Sequence, residues 1–262
     1  MKRGRTKVHQ RDRRILLVAL AALPLACVAS SGVLVAYATA AAATLPAQAR
    51  SVLASIDGEP RRLLAIRAYL RADKSLLARW SWSAQEIADY EHSAEQRALL
   101  AAIAEVNARF EARNPGYSLF ANTQVRSLDL QLARWNENRG VAQAAERIYR
   151  VADDEIRQGR YPDAPDDEAT QRFVSFLRKL PAQMPVPLAA PGLSLHGQSR
   201  AIDFQVRNGG RTIAGPEVAS VRVVWEKQGW ARKLEQAVDP SRGVFAGPLA
   251  SPNEPWHYEY IR

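Results

Sequence analysis

Cysteine is all but missing from this 262-residue chain, and its one copy, Cys27, lies inside an uncharged apolar run. The chain beyond that run therefore has no disulfide framework, no thiol nucleophile and no thiolate metal ligand. Any metal held there takes nitrogen and oxygen donors. Histidine is scarce too, with only His9, His92, His196 and His257. His9 falls in a basic head and His92 in a helical stretch, and both read as solvated. Apolar residues make up 47% of the chain, which excludes a disordered class. The formal charge of +9 would suggest a nucleic-acid partner, but residues 1–14 carry a net +6 and leave only +3 for the remainder. No nucleic-acid partner is expected from a charge so confined.

Charge of either sign is absent from Ile15 to Ala43. About 20 apolar residues suffice to span a bilayer, and a preceding basic flank stays in the cytoplasm. The expected arrangement is a cytoplasmic head (1–14), a single membrane-spanning anchor (15–43) and everything from Thr44 onward outside the cytoplasmic membrane, in the periplasm. Two alternatives are a signal segment cleaved after Ala40 or Ala49, which would release a secreted protein, and lipidation of Cys27.

Apolar residues then recur at helical spacing from about Leu45 to Arg113, as in Leu63, Leu64, Ile66 and Leu70, with arginines on the other faces. Ser83 followed by Glu86 has the form of a capping box, and Asn114-Pro115-Gly116 stops the run. Residues 44–115 are expected to form a small helical region, one that could recruit cell-wall-synthesis proteins. Beyond Gly116, the stretches 125–160 and 171–180 read as helices, and AIDFQV, SVRVVW and WHYEYI as short strands. Helices followed by strands predict an α+β domain over 116–262.

Two stretches of that domain carry the chemistry. In SLHGQSRAID, residues 194–203, Ile202 belongs to an alternation with Phe204 and Val206 that turns Asp203 to the opposite face of a strand. The segment Gly197-Gln198-Ser199 must turn for His196 to meet it. In NEPWHYEYIR, residues 253–262, Pro255 holds Glu254 extended just outside a second strand, where Glu254 and His257 can face one pocket. Two histidines and an aspartate suit a catalytic Zn2+ with water as fourth ligand, and a carboxylate that does not ligate can relay that water's proton.

The first stretch resembles the S-x-H-x-x-G-x-A-x-D signature of the zinc D-Ala-D-Ala carboxypeptidases, and Glu254-Pro255-Trp256-His257 resembles their E-x-W-H motif. That family includes vancomycin-resistance D,D-carboxypeptidases and dipeptidases and phage L-Ala-D-Glu endolysins, and shares its fold with hedgehog signalling domains. Arg126-Ser127, with Gln131 four positions later, is similar to its R-S-x-x-x-Q segment. The resemblance covers residues 116–262 and implies His196, Asp203 and His257 as zinc ligands, Glu254 as general base and Arg126 as the group that holds the scissile carbonyl. Ser194, Gln131 and Trp256 are candidate substrate contacts. Ser199 departs from the pattern, standing where the family has glycine. The lead-in ANTQV and the segment after Asp203 depart as well.

These features together predict a zinc metallopeptidase acting on peptidoglycan stem peptides, most simply a D-Ala-D-Ala carboxypeptidase. A peptidoglycan endopeptidase would use the same residues. The rival of another class is a non-catalytic wall-binding or scaffold module with a degenerate zinc site.

Overall fold

A computed structural model describes residues 26–261, with side chains from Gly32 onward. The basic head, His9, the first part of the expected anchor and the Cys27 side chain lie outside the described residues. The 18 residues that follow carry no charge and wind into α1 (Ala26–Ala43). Its second half is not free of the rest of the protein. Leu34, Tyr37 and Ala41 are fully buried, α1 packs on three later helices, and the Tyr37 hydroxyl donates to the Pro162 carbonyl at 3.0 Å. Among the described residues no helix is long and apolar enough to cross a membrane.

Helices α2 (Ala47–Ala54) and α3 (Glu59–Ala72) follow. Next come α4 (Ala84–Tyr90) and α5 (Ala94–Arg113), so the stretch 83–113 is two helices, not one. Ser83 and Glu86 do form the capping box. The second start is set by Ser93, whose hydroxyl accepts from Gln96 N, with His92 at a positive φ of 66° breaking the path between the helices. Three further helices are each capped by a side chain the sequence supplies: α6 (Leu128–Glu137) by Ser127, α7 (Arg139–Arg157) by Asn138 and α8 (Asp167–Lys179) by Asp166. Along α7 the buried positions Val141, Ala144, Ala145, Ile148, Ala152 and Ile156 make a continuous apolar stripe.

The sheet is built around β2 (Ala201–Asn208). On one edge lies β1 (Tyr117–Ala121), antiparallel, with Leu119 opposite Val206. On the other lies β5 (His257–Tyr260), which pairs antiparallel with residues 201–203 and with the two-residue β4 (Phe245–Ala246). The Asn208-Gly209-Gly210 turn, with both glycines at positive φ, folds β3 (Arg211–Ala214) back onto β2. Ile202, Phe204 and Val206 are buried as their alternation predicts, each contributing about 1.5–3 kcal/mol.

SVRVVW is not a strand. Residues Val221–Glu226 wind into a π-helix that buries Val221 and Trp225 and leaves Val223 58% exposed. A strand would have buried Val221, Val223 and Trp225 alike, whereas winding lets Trp225 Nε1 donate to the Gly215 carbonyl at 2.8 Å. It leads into α9 (Trp230–Val238), whose Trp230, Leu234, Ala237 and Val238 are buried.

Two apolar cores result. One gathers α1, α2, α3, α7 and α8 around Tyr37, Tyr69, Trp135 and Phe173. The other packs α5, the π-helix and α9 onto the sheet around Phe110, Phe204, Trp225 and Tyr258. Residues 44–115 therefore do not form a bundle of their own, because the apolar faces of α3 and α5 are each covered by elements from beyond Gly116.

Candidate active site

Three metal-capable side chains meet where the sheet faces the helices. Asp203 and His257 are direct cross-strand partners on β2 and β5, so their side chains leave the same face of the sheet. His257 Nδ1 lies 2.9 Å from Asp203 Oδ1. His196 arrives from a 3₁₀ turn, residues Leu195–Gln198, and its Nε2 lies 3.3 Å from Asp203 Oδ2. One ligand atom from each of the three lies within 4.8 Å of the others, a set that could hold a metal ion. The three side chains keep only 12–19% of their exposure.

The turn that delivers His196 is completed by Ser199, at φ 53° and ψ 24° in the left-handed region. That conformation favours glycine and strains any residue with a Cβ. Serine is accommodated, with its hydroxyl buried and without a hydrogen-bond partner.

Glu254 reaches the same place from a tight turn. Its backbone N donates to the Leu249 carbonyl at 2.9 Å, its own carbonyl accepts from His257 N at 3.0 Å, and its Oε2 stands 3.8 Å from His257 Nδ1. Arg126 Nη2 approaches Asp203 Oδ2 to 3.7 Å, while its backbone N donates to the His196 carbonyl at 3.0 Å. All five side chains line one cavity of about 640 Å³.

Burial sets the electrostatics. It lowers the His196 pKa against the opposing pull of Asp203, favouring the neutral imidazole that a metal requires. Burial pushes Asp203 up, but hydrogen bonds and charge from both histidines outweigh it, and its carboxyl sits below the usual range. Glu254 moves the other way: burial and the Asp203 charge raise it, against His257 and Arg126. Two carboxylates whose environments drive their pKa values apart are suited to different tasks, one as a ligand and one as a proton carrier. Arg126 is lowered by burial and by Arg134, yet a guanidinium stays charged.

The three candidate substrate residues divide. Ser194 lines the cavity. Trp256 lines it as well, but its ring is buried in the second core, 5.9 Å from that of Trp225. Gln131 does not line it. Its Nε2 donates to Ser81 Oγ and to the Arg126 carbonyl, both at 2.8 Å, and its Oε1 accepts from Gly192 N at 3.0 Å. With its amide spent on these bonds, Gln131 positions the loop instead of touching substrate.

Sequence reasoning missed the segment 78–82. Gln198 Nε2 donates to the Ala78 and Trp80 carbonyls, Ser81 N to the Gly192 carbonyl and Trp82 N to the Gly197 carbonyl. The turn bearing His196 is thus tied to the helical region on both sides of the histidine. Gln198, a polar residue inside a quoted motif, is the one signal that could have announced this. Comparison with protein-family models, with curated proteins and with solved structures finds no match for this chain.

Proposed function

We propose that the protein is a zinc-dependent peptidase acting on peptidoglycan stem peptides, with D-Ala-D-Ala carboxypeptidase action as the first expectation. The observation that carries the reading is the convergence of a nitrogen-oxygen-nitrogen donor set with a carboxylate that is not needed as a ligand and an arginine, all on one open cavity. The three motifs that resemble the zinc D-Ala-D-Ala carboxypeptidases lie far apart in sequence, yet Arg126, His196, Asp203, Glu254 and His257 from them line this one cavity.

The donor chemistry fits zinc, with His196 Nε2, an Asp203 oxygen and His257 Nδ1 as the ligands. Bound there, zinc would acidify a water and polarise the scissile carbonyl. Glu254, partly buried and raised in pKa, would take that water's proton and carry it to the leaving amine. Arg126 would hold the carbonyl oxygen as negative charge develops on it, a task for which a permanently charged guanidinium is suited. The apolar wall of Val186, Pro187 and Leu188 would exclude water from the bound peptide. The N-terminal pattern of a basic head and an uncharged run supports placing this chemistry outside the cytoplasmic membrane.

Glu254→Ala in the full-length protein tests the reading, with peptide products followed by mass spectrometry and zinc by equilibrium dialysis. A loss of turnover of about 100-fold or more with zinc retained is the expected result. Unchanged turnover would refute the assignment. Unchanged peptide affinity, in a parent that holds zinc but yields no product, would favour the non-catalytic wall-binding module.

A further inference from the structure

Two more arginines line the cavity beside Arg126, and the chemistry above uses neither. Arg134 lies on α6, two turns beyond Arg126, and is close enough for its charge to be one cause of the lowered Arg126 pKa. Arg79 belongs to the segment tied to the His196 turn. The carbonyls of its two neighbours, Ala78 and Trp80, both accept from Gln198 Nε2, at 3.0 and 2.9 Å. Its backbone is therefore fixed to the same turn that presents His196.

Most arginines near the first core are engaged. Arg67 donates to the Leu180 carbonyl, and Arg71 to that of Arg178. Neither Arg79 nor Arg134 makes a side-chain hydrogen bond or an ion pair with any described residue. The acidic groups on the cavity do not neutralise them: Asp203 is held by His196, His257 and Arg126, Glu254 stands by His257, and Glu259 forms no ion pair among the described residues. Arg79, Arg126 and Arg134 line the same cavity, and Arg134 is near enough to Arg126 for their like charges to oppose each other, so an anion entering that cavity relieves the repulsion.

We infer that Arg79 and Arg134 form an anion subsite that takes a carboxylate of the peptide, beside the reacting groups. Arg126 acts at the carbonyl, and the other two hold charge away from it. This inference rests on the peptidase reading for its ligand class. A stem peptide offers that carboxylate from two sources, its C-terminus and the free carboxyl of its D-Glu. The helical region thereby supplies a specificity residue, Arg79, to a site whose other residues all come from beyond Gly116.

The test uses the full-length zinc-loaded protein carrying Glu254→Gln, so that binding is read without cleavage. Three probes are titrated by calorimetry: the peptide L-Ala-γ-D-Glu-L-Lys-D-Ala-D-Ala, its C-terminal amide, and the form amidated at D-Glu. Adding Arg79→Gln and Arg134→Gln should weaken the unmodified peptide by about tenfold or more, the loss expected for a charge-assisted contact. The amide that removes the recognised carboxylate should bind weakly and equally with and without these changes, and so names the source. Both arginines are exposed, and equal melting temperatures would show the fold intact. Binding of all three probes unchanged by the substitutions would overturn the subsite, as would binding of none. With Glu254 restored, KM should rise with kcat little changed. A parent that cleaves peptides while its arginine variants bind normally would refute the subsite and leave the peptidase. Arginine-dependent and carboxylate-dependent binding in a parent that cleaves nothing would do the reverse.

Discussion

Ser199→Gly should make the protein more stable. Ser199 holds φ at 53° and ψ at 24°, a conformation costing a non-glycine residue roughly 1–2 kcal/mol. Its hydroxyl is buried without a partner, a desolvation cost of about 1–3 kcal/mol. Against these stand the extra freedom glycine gives the unfolded chain, roughly 0.5–1 kcal/mol, and the loss of a small buried side chain. The balance favours glycine by at least about 1 kcal/mol, which for a chain of this size raises the melting temperature by roughly 2–4 °C or more. Thermal unfolding followed by circular dichroism in a chelator measures this without the added stability of a bound metal. Ser199→Ala separates the causes, since it removes the hydroxyl but keeps the backbone strain, and it should give only part of the gain. A glycine variant that melts at or below the parent would refute the account of this turn. Zinc affinity should be unchanged, because the His196 position depends on the bonds made by Gln198 and Gly197, not on the Ser199 side chain.

Gly197→Ala, two residues earlier, should have the opposite sign. A Cβ there would stand 2.1 Å from Ser81 Oγ and 2.8 Å from Gln131 Nε2, both held in hydrogen bonds, so the variant should lose about 2–3 kcal/mol and some zinc affinity in the same melting and dialysis assays. A chain beginning at residue 116 should fail to fold. It would strip Leu63, Leu64, Ile66 and Tyr69 from the first core, at about 1.5–3 kcal/mol for each large side chain, against a total stability of only about 5–15 kcal/mol. A cooperative melt from residues 116–262 alone would contradict the shared core.

What the sequence made legible were features written in local order. The helix start at Ser83, with Glu86 completing its capping box, was legible, whereas the break at Asn138 that divides the 125–160 stretch into α6 and α7 was not, although Asn138 is a short polar side chain that accepts from Val141 N. The alternation of Ile202, Phe204 and Val206 correctly turned Asp203 away from the core, but its position directly opposite His257 comes from the pairing of β2 with β5. Failures came where a long-range partner decided the outcome. SVRVVW has the composition of a strand, yet the Gly215 carbonyl captures the Trp225 indole and the segment winds. Nothing within α3 or α5 says that their apolar faces are covered by elements from beyond residue 116. Gln131 reads as a motif position, but its role is set by Ser81 and Gly192, 50 and 61 residues away in the chain.

The boundary near residue 116 matters for how the site is held. A ligand set drawn only from β2, β5 and one turn would leave His196 on the least anchored element, a four-residue 3₁₀ helix with no side-chain cap. Catalytic geometry tolerates little such freedom, since displacements near 1 Å are costly. Here the turn is held from the helical side by Ser81, Trp82 and the carbonyls flanking Arg79, and from α6 by Gln131. The same bonds that steady His196 set Arg79 on the cavity wall and bring Arg126 beside Asp203. The helical region is therefore part of the site's construction: cutting those bonds should loosen His196, the proposed metal ligand, and Arg79 of the proposed anion subsite together, because one lattice of hydrogen bonds positions both.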